Sequence, residues 1–352
     1  MTRRALPVLP RADDALPRLQ ARWLDAILAE PPPAEVEATC GDCAMLGGDG
    51  LRFSTETRCC TFVPALSNFL VGGALREGGA GRSSLLARMA SGVGVSPLGL
   101  IPDPSDVARR VAPERFGQDP AAACPHYEPE AGRCSVWQWR EATCATWYCK
   151  HTRGARSKAY WNRVHQLVAR LERGVAWRCA TSLEIPAEGL AAMTPLDRPS
   201  GAARADVVGE GLDPEALWGP WLHRVEDYFL ACVEVAEGLS PDEVLRRAGP
   251  EALAMRAAVT LGRDGLSLRE LPARVALGSV KLVGLEADAV RLQGYSHLDP
   301  LRVPRALFDQ LHHFDGRDVG EALQAATEAA GEEVPAEAVA MLLEWDILRA
   351  AE

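Results

Sequence analysis

Cys124-Pro-His-Tyr-Glu-Pro-Glu-Ala-Gly-Arg-Cys134-Ser-Val-Trp-Gln-Trp-Arg-Glu-Ala-Thr-Cys144-Ala-Thr-Trp-Tyr-Cys149 is the stretch on which the reading of this chain turns. Its four cysteines are interleaved with tryptophans at 137, 139 and 147, and Trp161 follows shortly after. A second set lies upstream: Cys40 and Cys43 form a C-x2-C knuckle, and Cys59-Cys60 is a vicinal pair. Thiolates bind soft and borderline metals. Four of them close a tetrahedral zinc site or hold an iron–sulfur cluster, and a tight turn lets both sulfurs of a C-x2-C reach one ion. Cys40, Cys43, Cys59, Cys60, Cys124, Cys134, Cys144 and Cys149 are therefore the expected metal ligands. Burial as small apolar side chains and disulfide pairing are the two competing readings.

Neighbouring side chains of an extended chain point to opposite sides. Cys59 and Cys60 are thus expected to serve two metals, or two edges of one cluster, with the two cysteine sets interleaved in space. His126 and His151 each stand two residues beyond a cysteine, where a histidine either ligates or donates to a sulfur. His165 sits on a helical pattern and is expected to be structural. Cys179 and Cys232 stand singly on apolar patterns and are expected in the core.

The rest of the chain places these loops. It has 352 residues, 47% of them apolar and 24% charged, enough for about two domains with sizeable cores. Prolines and charges interrupt the apolar residues between Leu6 and Leu19, which predicts no secretory signal. No run approaches a membrane span of about 18 residues, so the expected compartment is the reducing cytoplasm. The net charge of −10 is divided unevenly. Residues 1–180 carry 23 Lys and Arg against 18 Asp and Glu, and residues 181–352 carry 15 against 30. That balance argues against nucleic acid as a partner.

Helical spacing of Leu16, Leu19, Trp23 and Ile27 predicts a helix over 14–29, capped by Asp14 and stopped by Pro31 to Pro33. Residues 72–81, rich in glycine, read as flexible or tightly turning chain; they spell neither a dinucleotide fingerprint nor a phosphate loop. Residues 92–105 read as loop. An amphipathic helix is expected over 160–173, a linker over 186–212, and helices over 214–236 and 241–259. The last carries a capping box of Ser240 and Glu243 with Pro241 in its first turn. Residues 150–178 carry eight Lys and Arg against Glu172 alone. They are expected to form a solvated face or to dock on the acidic C-terminal half, with an anionic ligand as the sharper alternative. Residues 280–283 and 289–292 suggest a strand pair, and helices are expected near 303–314, 318–330 and 335–345.

The predicted fold is mainly α with irregular cysteine-rich metal-binding loops and a small α+β module at the C-terminus. Its divisions are a cysteine-cluster domain over 1–185, a linker and helical segment over 186–278, and the small module over 279–352, winged-helix or PqqD-like in pattern. A PqqD-like module would imply a peptide or protein partner.

The segments Cys124-Pro-His-Tyr, Gly132-Arg-Cys134-Ser-Val-Trp137 and Arg140 to Cys144, together with the vicinal Cys59-Cys60, resemble the YkgJ-type cysteine-cluster family of zinc- or iron-chelating proteins. The resemblance covers roughly residues 38–150. It departs in two places: fifteen residues separate Cys43 from Cys59, and the family's Arg-Pro is Arg140-Glu141 here. It implies zinc or an iron–sulfur cluster but no particular reaction. A related pattern in flagellin lysine N-methylases implies a peptide- or protein-modifying enzyme as an alternative, and a zinc-stapled interaction protein without catalysis is the third reading.

Overall fold

The computed structural model describes residues 16–35, 43–47, 52–102, 116–193, 213–266 and 270–351. Among these residues helix dominates, joined by small antiparallel sheets, so the chain is mainly α within a mixed α+β arrangement. Helix α1 (Arg18–Ile27) turns Leu19, Trp23 and Leu24 inward. The expected Asp14 cap lies outside the described residues, and Pro17 occupies the N-cap.

Strand β1 (Leu66–Ser67) leads into α2 (Asn68–Glu77) and α3 (Gly79–Ala90). The glycine-rich stretch is therefore helical, apart from a break at Gly78, where φ is +84°. Gly72 and Gly73 serve close packing here. A Cβ at Gly72 would drive into the backbone of Phe229, and one at Gly73 into the Trp139 ring. Local propensity favoured a loop; contact between helices overrides it. Strands β2 (Val95–Ser96) and β3 (Gly99–Leu100) complete a small sheet with β1.

The cysteine segment carries the hairpin of β4 (Tyr127–Glu128) and β5 (Arg133–Cys134), then the short helix α4 (Ala142–Thr146). Helix α5 (Gly154–Ser182) is longer than its amphipathic core predicted, and it runs through the middle of the molecule. Tyr160, Trp161, Val164, Val168, Leu171 and Val175 are buried along it. Helices α6 (Ala187–Met193), α7 (Pro214–Trp218), α8 (Val225–Gly238), α9 (Pro241–Ala248) and α10 (Pro250–Asp264) follow. The capping box at Ser240 and Glu243 is formed, with Pro241 in the first turn. One hydrophobic core draws residues from Leu16 to Val259, and Cys179 and Cys232 are fully buried within it.

A second core runs from Val275 to Leu348. Its strands are β6 (Arg274–Leu277), β7 (Lys281–Leu285), β8 (Ala289–Gln293) and β9 (Leu301–Pro304). They are followed by α11 (Arg305–Asp309), β10 (Arg317–Asp318), α12 (Val319–Ala330), α13 (Ala336–Glu344) and β11 (Leu348–Ala350). The strands form two sheets, ordered β10-β6-β11 and β7-β8-β9. The expected strand pair is thus present, while the helix expected at 303–314 is shortened. Val303 pairs with Val290, which draws 301–304 into the sheet, and Pro304 caps what remains. Among the described residues no helix is long and apolar enough to cross a membrane.

The basic stretch on α5 meets the acidic half of the chain. Arg153 pairs with Glu344 at 3.0 Å, Arg170 pairs with Glu251 at 3.0 Å, and Lys158 donates to the Tyr295 carbonyl at 3.3 Å. Internal docking accounts for these three charges.

Candidate metal centre

Two loops carry the cysteines, and backbone hydrogen bonds stitch them together. The Cys43 carbonyl accepts from Leu46 N–H at 3.0 Å, closing a turn, and Phe53 N–H donates to the Met45 carbonyl at 2.8 Å. The vicinal pair follows Arg58, a non-glycine residue with φ of +50°. Thr61 N–H then bonds the Cys59 carbonyl at 2.8 Å, a three-residue turn centred on Cys60. The Cys60 carbonyl in turn accepts from Cys124 N–H at 2.8 Å, which joins the first loop to the second.

The second loop is ordered by short elements. Cys134 lies on β5 opposite Tyr127. Cys144 sits in the first turn of α4, where the Glu141 carboxylate caps the helix by accepting from Thr143 N–H at 2.6 Å and Cys144 N–H at 2.9 Å. Arg140 stacks on the Trp137 ring at 3.3 Å and donates to the carbonyls of Trp137 and Cys144. That geometry suits the planar guanidinium and would not be kept by lysine.

The sulfurs fall into two neighbourhoods. Burial pushes the Cys144 thiol well up, and the charges of Glu141, Cys124 and Cys134 push the same way, so three sulfurs of the second loop act on one another. In the first neighbourhood, Cys43, Cys59 and Cys149 pack against a small core of Met45, Phe53 and Leu298. Burial also raises the Tyr127 hydroxyl; Arg58 opposes this, and Cys60, Cys43 and Cys59 add to it. Cys60, Cys43 and Cys59 thus all lie within electrostatic reach of Tyr127, and the Cys60 carbonyl is bonded to Cys124 N–H. Seven of the eight expected ligands are among the described residues; Cys40 is outside them. Among the described residues no disulfide joins two cysteines. Among the described residues no three His, Cys, Asp or Glu side chains stand in a metal-holding arrangement.

The two histidines have other partners. His126 is buried, with Nδ1 2.8 Å from Ser84 Oγ and Nε2 3.0 Å from the Arg88 guanidinium. Arg88 only donates, so Nε2 accepts and the proton lies on Nδ1. Burial, with Arg88 beside it, brings the imidazole pKa down to about 3. Both ring nitrogens are engaged, and His126 ties the cysteine hairpin to α3. Burial, reinforced by Lys158, brings His151 down to about 4. Its Nδ1 lies 3.4 Å from the Tyr295 hydroxyl.

Several residues at this site are legible only in the fold. Glu35 accepts from Thr152 N–H and from Trp161 Nε1 at 2.9 Å. Asp299 accepts from His151 N–H at 3.4 Å and from the Tyr295 hydroxyl. The segment after Cys149 is therefore clamped by carboxylates from both ends of the chain. The visible clue in the sequence is the connection over 294–300, which carries Tyr295, His297 and Asp299 and is longer than a hairpin needs. Comparison with family models, curated proteins and solved structures finds no match to this chain.

Proposed function

We propose that the protein binds metal, holding zinc or an iron–sulfur cluster through its eight clustered cysteines. One observation carries the reading: loops separated by more than sixty residues are joined where Cys124 N–H meets the Cys60 carbonyl at 2.8 Å, with further cysteines of both loops on either side. Cysteines in this number suit a thiophilic metal, and ligands spread this far along a chain converge only with folding. We assign Cys40, Cys43, Cys59 and Cys149 to one set and Cys60, Cys124, Cys134 and Cys144 to the other, so that the vicinal pair is divided between them. Bound zinc would staple the loops, and an iron–sulfur cluster would supply electron transfer. In either case Arg140, Glu141 and His126 hold the second loop in place.

The C-terminal module, winged-helix or PqqD-like in its sequence pattern, is the partner-binding part of this reading. Strand β7 is an edge strand, and Leu282, Val283 and Leu285 on it are 50%, 50% and 68% exposed. An open edge offers backbone donors and acceptors to an extended peptide. Selection from a displayed peptide library should recover apolar, extended sequences on the wild-type chain and lose them on Leu285→Lys; equal recovery would exclude the edge.

Metal counting on single variants tests the division of the cysteines. Cys59→Ser and Cys60→Ser are expected to deplete different centres. Loss of the same metal equivalent from both would refute the assignment.

A further inference from the structure

We infer that the C-terminal module caps the first thiolate set and controls access to it. The inference rests on the metal-binding reading above and adds a role for residues that ligate nothing. The connection over 294–300, between β8 and β9, leaves the second core and reaches across to the cysteine loops. Leu298, 7% exposed, completes the small core of Met45 and Phe53 against which Cys43, Cys59 and Cys149 pack. Leu298 is the only one of those three core residues contributed from beyond residue 150.

A polar clamp holds this apolar cover in place. Asp299 bonds the backbone N–H of His151, two residues from Cys149, and Tyr295 joins both. The Tyr295 ring meets His151 edge-on with centroids 5.8 Å apart, and Lys158 Nζ lies 5.5 Å from the Tyr295 ring centre. The loop is also tied to its own module, since Tyr295 N–H donates to the Trp345 carbonyl at 3.2 Å and a Cβ at Gly294 would collide with that same backbone. Movement of the module is thereby transmitted to Leu298. The Arg153–Glu344 pair adds a second tether between α5 and α13.

An apolar shell over a metal site sets how readily water, chelators and redox partners reach it. Withdrawing Leu298 would open the Cys43, Cys59 and Cys149 side, while Cys144 keeps its bonds to Arg140 and Glu141. A partner that pulls on the C-terminal module would therefore expose one set selectively.

The test uses the full-length chain, purified anaerobically with its metal and mixed with excess 4-(2-pyridylazo)resorcinol, which reports released zinc and iron. Leu298→Ala is expected to release part of its metal about tenfold faster than wild type. Leu261→Ala, a change at an exposed site on α10, should match wild type. Where Leu298→Ala purifies with less metal, Tyr295→Phe with Asp299→Asn, which keeps the apolar cover but cuts the clamp, is measured in the same way and should also release faster. Wild-type metal with unchanged release from both variants would overturn the cap. Wild-type protein that carries no metal would instead overturn the metal-binding reading on which the cap rests.

Discussion

Replacing Gly72 by alanine tests whether the glycine-rich stretch is a packed helix. The residue lies on α2 facing α8, and an added Cβ would sit 2.6 Å from the Phe229 carbonyl carbon and 3.3 Å from Leu230 N, with the carbonyl oxygen nearer still. Ordinary contact begins at 3.4 Å, and with the carbonyl oxygen the nearest obstacle the two backbones must separate by well over an ångström. Neither obstacle is a side chain that can rotate away. Overpacking of this kind costs about 1–3 kcal/mol, and a backbone obstacle belongs at the upper end. Alanine returns about 1 kcal/mol through its better helix propensity. The net loss is about 2 kcal/mol, which corresponds to a fall in Tm of about 4–8 °C for a core of this size. Gly73→Ala meets the Trp139 ring, which can move once its 2.6 Å bond to Glu77 is released, and should cost less. Thermal unfolding of both variants decides the matter. A Tm for Gly72→Ala equal to or above wild type would refute the packing argument, because a flexible turn would gain from losing a glycine.

Three further outcomes follow from the same coordinates. Burial raises the Glu172 carboxyl well above its ordinary range, helped by Glu141 and opposed by bonds from Ala142 N–H and the Gln20 amide. Because the folded value exceeds the unfolded one, the stability tied to its protonation is complete below the usual glutamate range and is lost as pH rises through the raised value. Glu172→Gln should therefore gain Tm relative to wild type as pH rises above the usual glutamate range, and parallel Tm profiles would contradict this. Ser240→Ala removes the hydroxyl half of the α9 capping box, leaving Glu243 on the residue-240 backbone N–H, and should cost about 1 kcal/mol by chemical denaturation; no change would show that the hydroxyl cap is redundant. Stripping metal should make the cysteine loops protease-sensitive before the second core, and identical digestion of stripped and loaded chains would argue against coupling of metal to folding.

Local chemistry announced some elements well. Ser240 and Glu243 specify a helix start through neighbouring atoms alone, and the short runs at 280–283 and 289–292 on either side of residues 286–288 mark the β7–β8 pair. The glycines at 72 and 73 misled because their purpose lies in Phe229 and Trp139, far away in sequence. Residues 301–304 joined a sheet for a similar reason, through pairing with β8. At the candidate centre, spacing identified the cysteines as a group but could not sort them. The proposed division rests on the turn at Arg58 and the Cys60–Cys124 bond, neither of which spacing reveals. Tyr295, Leu298 and Asp299 were beyond local reading, because only tertiary contact brings them to Cys149. His126 was named for its nearness to Cys124, whereas its ring nitrogens face Ser84 and Arg88.

The most direct measurement is elemental analysis of the full chain purified without oxygen, taken together with its visible spectrum. The account predicts stoichiometric metal, either zinc in a colourless protein or iron with sulfide and a broad band near about 400 nm, lost when the cysteines of both loops are replaced by serine. A folded chain with no bound zinc or iron, and eight thiols that titrate freely, would contradict it.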